Sequence, residues 1–213
     1  MQSSIEYPAS LTDKYRPRTV SDFVGLDKAK KIFGKFASAP YPSAWLFVGA
    51  PGTGKTSLAL ALAEQLGADL HHIPSQACNV AAVEETIRMC HYVPRNGLKS
   101  FHLVLVDEAD RMSNAAQLAF LSKLDATAFP PSTIFVFTCN STEGLEARFL
   151  SRCRQIEFST YGMASDASAL LAKVWQSETP TESKAPNFGQ ILRDSRNNIR
   201  EALLSLETEI LAA

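Results

Sequence analysis

The sequence predicts an α/β protein with a parallel β-sheet flanked by helices, followed by a small all-α domain. Short apolar segments alternate with helical segments along most of the chain, and only helical segments follow Tyr161. We therefore expect a sheet domain over residues 1–160 and a helical lid domain over residues 161–213. The predicted strands are 44–49, 69–74, 101–107, 133–140 and 154–158.

The predicted strands are short, and the longest apolar runs among them are expected at the centre of the sheet. AWLFVG (44–49) is an apolar run that stops at a glycine. FHLVLVD (101–107) is almost wholly apolar, which is typical of a strand covered on both faces in a parallel sheet. TIFVFTCN (133–140) has the same character and ends in an asparagine.

Helices are predicted from helical periodicity and from the residues that end them. The segment 29–38 is followed by Ala39-Pro40-Tyr41-Pro42, and the alanine- and leucine-rich segment 57–67 finishes with a glycine. Residues 1 to about 20 are polar and contain prolines, so we expect an extended arm there. Further helices are predicted at 80–92, 114–126, 164–176 and 187–212.

Composition favours a globular protein of a reducing compartment. The chain has 213 residues, of which 46% are hydrophobic, and its net charge is −1, so nothing global indicates a nucleic-acid binder. The four cysteines have no C-x-x-C spacing, so they are expected to be free thiols, although a metal site assembled from them in space is an alternative. The N-terminus lacks the apolar core of a signal peptide, and no apolar run could span a bilayer. We expect a cytoplasmic protein with no membrane partner.

The strongest motif is GAPGTGKT, which fits the phosphate-loop pattern G-x-x-x-x-G-K-[ST] between a predicted strand and a predicted helix. Glycines allow a loop whose N–H groups face phosphates, and the helix that follows directs its positive end to the same place. The lysine is expected to reach the β- and γ-phosphates of ATP, and the threonine hydroxyl to hold Mg²⁺. The predicted phosphate-binding residues are Gly49, Ala50, Pro51, Gly52, Thr53, Gly54, Lys55, Thr56 and Ser57.

Polar residues end two of the other apolar strands, where ligands bind in parallel sheets. Asp107 follows LVLV and is the expected Mg²⁺ carboxylate, and Glu108 is the expected general base for an attacking water. Asp110 more plausibly caps the next helix or binds a neighbour. Asn140 could orient the water or sense the γ-phosphate, although asparagine commonly ends strands.

These motifs, together with Ser151-Arg152-Cys153, resemble the AAA+ clamp loaders, a group of P-loop NTPases, and in particular the replication factor C small subunit. Segments along nearly the whole chain carry the resemblance. They are KYRPRTVSDFVG (14–25), DEADRMSNAAQLAFLSKLD (107–125), NSTEGLEARFLSRCRQIEF (140–158) and NNIREALLSL (197–206).

The resemblance implies roles that the residues alone do not give. Asn140 would be the sensor of the γ-phosphate, and Arg200 in the lid would contact the γ-phosphate of the same chain. Arg152 would be a catalytic arginine finger acting on the ATP of a neighbouring subunit. A local ion pair with Glu146 or Glu157 is the alternative for Arg152, and Arg148 and Arg154 are rival fingers. The residues placed near the adenine are Tyr15, Arg16, Val24 and Gly25.

The resemblance also implies an ATPase that works in an assembly. Its partners would be other clamp-loader subunits in a homo- or hetero-oligomer, a sliding clamp and primer-template DNA. The family carries a C-terminal helical collar after the lid, and this sequence shows none before Ala213. The alternatives are another AAA+ ATPase acting in branch migration, recombination or mobile elements, or a subunit that binds ATP without hydrolysing it. The candidate DNA contacts are Arg88, Arg95, Lys99, Arg111 and Lys123.

Overall fold

The computed structural model describes residues 9–97, 100–180 and 184–212. The strands in these ranges are β1 (Ser43–Gly49), β2 (Asp69–Pro74), β3 (His102–Asp107), β4 (Thr133–Cys139) and β5 (Arg154–Phe158). The α-helices are α1 (Leu11–Lys14), α2 (Asp27–Ser38), α3 (Lys55–Leu66), α4 (Val80–Met89), α5 (Asn114–Leu121), α6 (Ala147–Leu150), α7 (Ala164–Glu178), α8 (Phe188–Asp194) and α9 (Ile199–Ala212). No helix within these ranges is both long and apolar enough to cross a membrane.

The five strands form one parallel sheet in the order β2-β3-β4-β1-β5, which confirms the predicted fold class. All the residues of β4 are buried, and so are all those of β3 except its last residue, Asp107, which is half-buried. The pairing brings Leu103 of β3 opposite Ile134 of β4, and Ser43 of β1 opposite the same residue. Because all the strands run in one direction, their carboxyl ends lie at one edge of the sheet.

Successive side chains along each strand point to opposite faces of the sheet, and they form two hydrophobic cores, one on each face. On β4, Phe135 and Phe137 face one core, while Ile134 and Val136 face the other. The ring of Phe137 makes edge contacts with Phe120 of α5 and with Phe149 of α6, at centroid distances of 5.1 and 4.8 Å. Edge-to-face pairs of this kind add about 0.5–1.5 kcal/mol each beyond burial.

The described chain divides into two compact units, one of which contains the sheet and spans Pro17–Ser159. In the other, residues 9–16 join the helices that follow Thr160. Within it the backbone N–H of Leu11 donates to the carboxylate of Glu207 at 3.0 Å, and Leu11 is buried. The described part of the expected extended arm therefore begins with a helical turn, because an apolar side chain there packs with the C-terminal helices.

The predicted helix over 187–212 is two helices, α8 and α9. Arg196 and Asn197 between them have φ values of 51° and 58°, which interrupt the right-handed helix. The side chain of Asn198 accepts hydrogen bonds from the N–H groups of Arg200 and Glu201 and so starts α9. Asparagine tolerates a left-handed backbone and caps helices well, which explains why the chain breaks in this stretch.

Gly49, the last residue of β1, lies against β5 so closely that a side chain has no room. A Cβ atom at Gly49 would stand 2.2 Å from the carbonyl oxygen of Phe158 and 2.9 Å from its Cβ atom. The strand that leads into the phosphate loop is therefore held at its end by direct backbone packing.

Gly49→Ala should lower the free energy of unfolding by about 1–3 kcal/mol, because backbone of β5 would have to shift. Gly34→Ala is the matched control, since Gly34 lies in α2 and, apart from its chain neighbours and the backbone of its own helix, no atom stands within 4 Å of the position that a methyl carbon would take there. Alanine there should raise stability by about 0.5–1 kcal/mol. Urea unfolding measures both, and an equal effect of the two substitutions would contradict the close packing at Gly49.

Candidate functional site

The phosphate loop connects the end of β1 to the start of α3. Gly52 and Gly54 have φ values of 74° and 92°, which side-chain-bearing residues rarely adopt. The ring of Phe23 lies 3.2 Å from the position that a Cβ atom of Gly54 would take, so this ring packs against the phosphate loop. Since α3 begins at Lys55, its first free N–H groups lie next to the loop, as an anion site requires.

Lys55 holds the loop and the end of β4 together. Its Nζ atom donates to the carbonyl oxygens of Gly49 and Ala50 at 2.6 and 2.9 Å, and to Oδ1 of Asn140 at 3.1 Å. Only 8% of Lys55 is exposed, so its charge is held close to the loop. The structure thus brings the lysine of the phosphate loop and the candidate sensor asparagine into direct contact.

Asp107, at the end of β3, accepts hydrogen bonds from three elements. Its Oδ1 atom accepts from the hydroxyls of Thr56 and Thr138 at 2.8 and 2.9 Å. Its Oδ2 atom lies 3.0 Å from Nε2 of His72, which donates to it. The carboxylate is oriented by α3, β4 and β2 together, and the pair of Thr56 and Asp107 offers the hard oxygen ligands that Mg²⁺ prefers.

His72 and Thr138 are not among the site residues predicted from the sequence. Both lie near the carboxyl ends of predicted strands, His72 in DLHHIP and Thr138 in TIFVFTCN. In a parallel sheet such positions neighbour the end of the adjacent strand, and β3 lies between β2 and β4. Strand order was the missing information, since it decides which strand ends are neighbours.

Glu108 has a left-handed backbone, with a φ of 52°, immediately after the strand. Its N–H group donates to Oγ1 of Thr138 at 3.1 Å, and this bond helps to hold the turn. A non-glycine residue in this region costs about 1–3 kcal/mol and is common at active sites. The Glu108 side chain is 51% exposed and lies 3.5 Å from Nε of Arg111, so the carboxylate is available at the surface of the site.

Arg152 is paired within its own unit. Its Nε atom donates to Oδ1 of Asp125 at 2.7 Å, and Nη1 donates to the carbonyl oxygen of Arg148 at 2.9 Å. The acid is thus Asp125 rather than Glu146 or Glu157. The rival Arg154 stacks over the rings of Tyr41 and Trp45, whereas no ion pair of the exposed Arg148 side chain is found in the described ranges.

The residues expected around the adenine are divided between the two units. In the helical unit, Tyr15 donates from its hydroxyl to Glu178, and Arg16 forms an ion pair with Asp13 at 2.8 Å. Hydrogen bonds from Lys14 and from Tyr15 lower the pKa of Glu178 below its ordinary value.

The other residues expected near the nucleotide occupy turns or a helix start. In the sheet unit, Val24 is half-buried and Gly25 is buried with a φ of 62°. Arg200 is exposed in the first turn of α9. That Tyr15, Arg16 and Arg200 join Val24 and Gly25 around one nucleotide stays a prediction.

Most of the described basic side chains expected to contact DNA are close to acids. Arg88 pairs with Glu85, and Arg95 lies 3.8 Å from Asp69. Arg111 lies beside the candidate general base, as described above. Lys123 is partly buried after α5, and Lys99 lies outside the described residues. A DNA surface made of these residues stays a prediction.

The site combines a phosphate loop, a Mg²⁺-type carboxylate with its threonine, an acid that follows a strand, and a polar sensor position. Residues 45–161 match the sequence model of the ATPase family associated with various cellular activities (AAA). This match covers more than half of the chain, and the chain belongs to the AAA family.

Among curated proteins, the chain is similar to replication factor C subunits. It is 28% identical to replication factor C small subunit 1 of Pyrobaculum aerophilum over 201 residues, which are 92% of this chain and 60% of that protein. It is 30% identical to replication factor C subunit 3 of Blastobotrys adeninivorans over 202 residues, covering 92% of this chain and 58% of the relative. The chain therefore spans about three fifths of the length of these relatives.

Among solved structures, the chain resembles the Holliday junction branch migration motor RuvB of Thermotoga maritima. The TM-score is 0.73 at 17% identity, covering 91% of this chain and 64% of that one. A variant of the same motor with one substituted residue gives a TM-score of 0.75 at 18% identity, over 91% of this chain and 64% of that chain. At these identities the likeness shows a common fold.

Thr138→Val should destabilise the protein by about 1–3 kcal/mol, because it leaves the N–H group of Glu108 without its partner and removes one of the two hydroxyl donors of Asp107 Oδ1. Thr138→Ser keeps the hydroxyl and should lose less. Urea unfolding of both variants measures this difference. If serine lost as much stability as valine, the hydroxyl would not be what holds the two acidic residues.

Proposed function

We propose that the chain is the ATPase subunit of a DNA sliding-clamp loader, which binds and hydrolyses ATP at subunit interfaces to load a clamp on primed DNA. The observation that carries this proposal is the extent of the similarity to replication factor C subunits. It covers 92% of the chain, whereas the family match covers residues 45–161. The similarity thus includes segments on both sides of the general ATPase core.

ATP binding follows from the loop and from Lys55. The loop offers backbone N–H groups and the start of α3, both of which favour the charge of phosphates. Lys55 already lies at the loop, held by two carbonyl oxygens and by Asn140. On ATP binding, its ammonium group would exchange some of these neutral acceptors for the β- and γ-phosphates, which are charged and therefore stronger acceptors.

The residues present fit Mg²⁺ as well as the nucleotide. Thr56 and Asp107 supply a hydroxyl and a carboxylate whose oxygen atoms already lie 2.8 Å apart. Bound Mg²⁺ would neutralise charge on the phosphates. Thr138 and His72 would hold the Asp107 carboxylate in the orientation that this binding needs.

Hydrolysis needs a positioned water, and Glu108 and Asn140 are the groups assigned to it. Glu108 would accept the proton of the attacking water, an effect worth about 10²–10⁴ in rate in enzymes generally. Asn140, in contact with Lys55, would sense whether the γ-phosphate is present. The hydrogen bond from the N–H group of Glu108 to Thr138 would hold the backbone of Glu108 and keep its exposed carboxylate close to the end of β3.

Arg152 would complete the site of a neighbouring subunit. To do so it must leave Asp125, but both side chains are partly exposed, at 30% and 50%, and such ion pairs contribute only about 0–1 kcal/mol. An arginine finger is worth about 10³–10⁵ in rate, or about 4–7 kcal/mol. The free energy of the ion pair between Arg152 and Asp125 is therefore smaller than the stabilisation that Arg152 would give to the transition state in a neighbouring subunit.

The likeness to RuvB favours branch migration as a second candidate, because that motor shares the fold over 91% of this chain. The fold is common to several activities, and similarity in sequence extends instead to the replication factor C subunits. A subunit that binds ATP without hydrolysing it is a third candidate. The intact Lys55, Asp107 and Glu108 argue against this third candidate.

Glu108→Gln should leave ATP binding unchanged and lower the ATPase rate by about 10²–10⁴, because the amide cannot accept the proton of the water. Glu143→Gln, a change of an exposed acid three residues after Asn140, should leave both unchanged. Steady-state ATPase and nucleotide binding are measured with primed DNA and a candidate clamp. Unchanged turnover in Glu108→Gln would instead indicate a non-hydrolysing subunit.

Arg152→Ala should abolish the rise of specific ATPase activity with protein concentration, while ATP still binds, because the finger acts between subunits. Asp125→Ala, which releases Arg152 from its local partner, should retain that rise. The same assay on Arg148→Ala tests the rival finger. A concentration-dependent rise that survives in Arg152→Ala would remove Arg152 from the mechanism.

A further inference from the structure

A second cluster of chemically active side chains lies in the sheet unit, apart from the phosphate loop. His71 of β2, Cys90 at the end of α4 and His102 of β3 each place one potential ligand atom so that all three atoms lie within 4.8 Å of one another. Cys90 is fully buried and His102 is 2% exposed, while His71 is half-buried. Histidine nitrogen and cysteine sulfur are both ligands that zinc takes in proteins.

The hydrogen bonds of His102 fix which of its nitrogen atoms points into the cluster. Its Nε2 atom lies 2.9 Å from the carbonyl oxygen of Tyr92, which can only accept, so Nε2 carries the proton. Nδ1 is then an unprotonated acceptor, and it lies 3.0 Å from Nε2 of His71. A carbonyl oxygen on the far nitrogen of a histidine is the usual outer contact of a metal-bound imidazole.

Asp69 lies beside the same cluster. It is paired with His102 across β2 and β3, and its Oδ2 atom lies 3.9 Å from Nδ1 of His102. Its charge acts on the pKa of both Cys90 and His71, as a carboxylate close to each of them would. Asp69 is thus near enough to complete a fourfold set of ligands by a small movement or through water.

We propose that His71, Cys90 and His102 bind one Zn²⁺ ion, with Asp69 or a water molecule as the fourth ligand. Zn–N distances of about 2.0–2.1 Å in a tetrahedron separate two nitrogen atoms by about 3.3 Å. The observed separation of 3.0 Å between the two histidine nitrogen atoms is close to that value. A shift of a few tenths of an ångström, with the proton of His71 moving from Nε2 to Nδ1 by exchange with water, would turn the hydrogen-bonded pair into a pair of ligands.

The position of the cluster indicates a structural role for the ion. His102 is the first residue of β3 and Asp107 is its last, so these two residues are separated by roughly 16 Å along the strand. The ion would tie the end of α4 to β2, which is an edge strand of the sheet. This proposal is independent of the proposed ATPase function.

The thiol provides a specific signal for the test. Burial raises the pKa of Cys90 to about 12, so the thiol is protonated at neutral pH in the absence of metal. Metal binding would expel this proton to the buffer and form a metal–thiolate bond. Co²⁺ reports such a bond by thiolate-to-metal charge-transfer absorption, which imidazole and carboxylate ligands do not give.

The experiment is a Co²⁺ titration of the metal-stripped full chain, followed by displacement with Zn²⁺ and by thermal unfolding with and without Zn²⁺. We expect one equivalent of Co²⁺ with a charge-transfer band, displacement by Zn²⁺, and a higher Tm with Zn²⁺. Cys90→Ser should lose the band. His71→Gln should fold normally, because His71 is half-buried on an edge strand. It should weaken Co²⁺ binding at least tenfold, the order of loss typical of altered metal sites.

Two matched variants serve as controls. Cys78→Ser changes another buried cysteine outside the cluster, and His91→Gln changes a neighbouring exposed histidine. Both should keep the band and the shift of Tm. The proposal is overturned if no band forms, if the band survives in Cys90→Ser, or if His71→Gln binds Co²⁺ as tightly as the unchanged chain. His71 and His102 would then be only a hydrogen-bonded pair.

Discussion

The carboxylate of Asp107 is the interaction on which the rest of the site depends. It receives hydrogen bonds from Thr56, Thr138 and His72, which belong to α3, β4 and β2. Four elements that are distant in sequence are therefore fixed to one point at the edge of the sheet. A charged acceptor makes each of these bonds stronger than a neutral one would be.

The hydrogen bonds around Asp107 also determine the geometry of Glu108. The hydroxyl of Thr138 donates to Asp107 and accepts from the N–H group of Glu108, so one side chain sets the direction of both acids. The strained backbone of Glu108 is supported by that contact. Preorganisation of this kind reduces the rearrangement required when a nucleotide binds.

Much of the fold could be predicted from the sequence, because apolar runs and loop glycines report local structure directly. All five predicted strands occur within one residue of their expected bounds, and GAPGTGKT forms the expected loop between β1 and α3.

The break between α8 and α9 was missed, because helical periodicity continues across Arg196 and Asn197 while their backbone leaves the helical conformation. Contacts such as Arg152 with Asp125 depend on tertiary packing, which a single sequence does not contain. The cluster of His71, Cys90 and His102 was missed for the same reason, since its members lie on three different elements.

The helical unit brings together two parts of the chain that are far apart in sequence. The N–H group of Leu11 and the carboxylate of Glu207 are separated by 196 positions, and all of the sheet lies between them. During synthesis the residues of the sheet emerge before those of α9, so the sheet can form while the partner of Leu11 has not yet been made. The helical turn α1 is thus among the last described elements to reach its native contacts. Contacts of such long sequence separation form slowly, so this unit should fold later than the sheet unit.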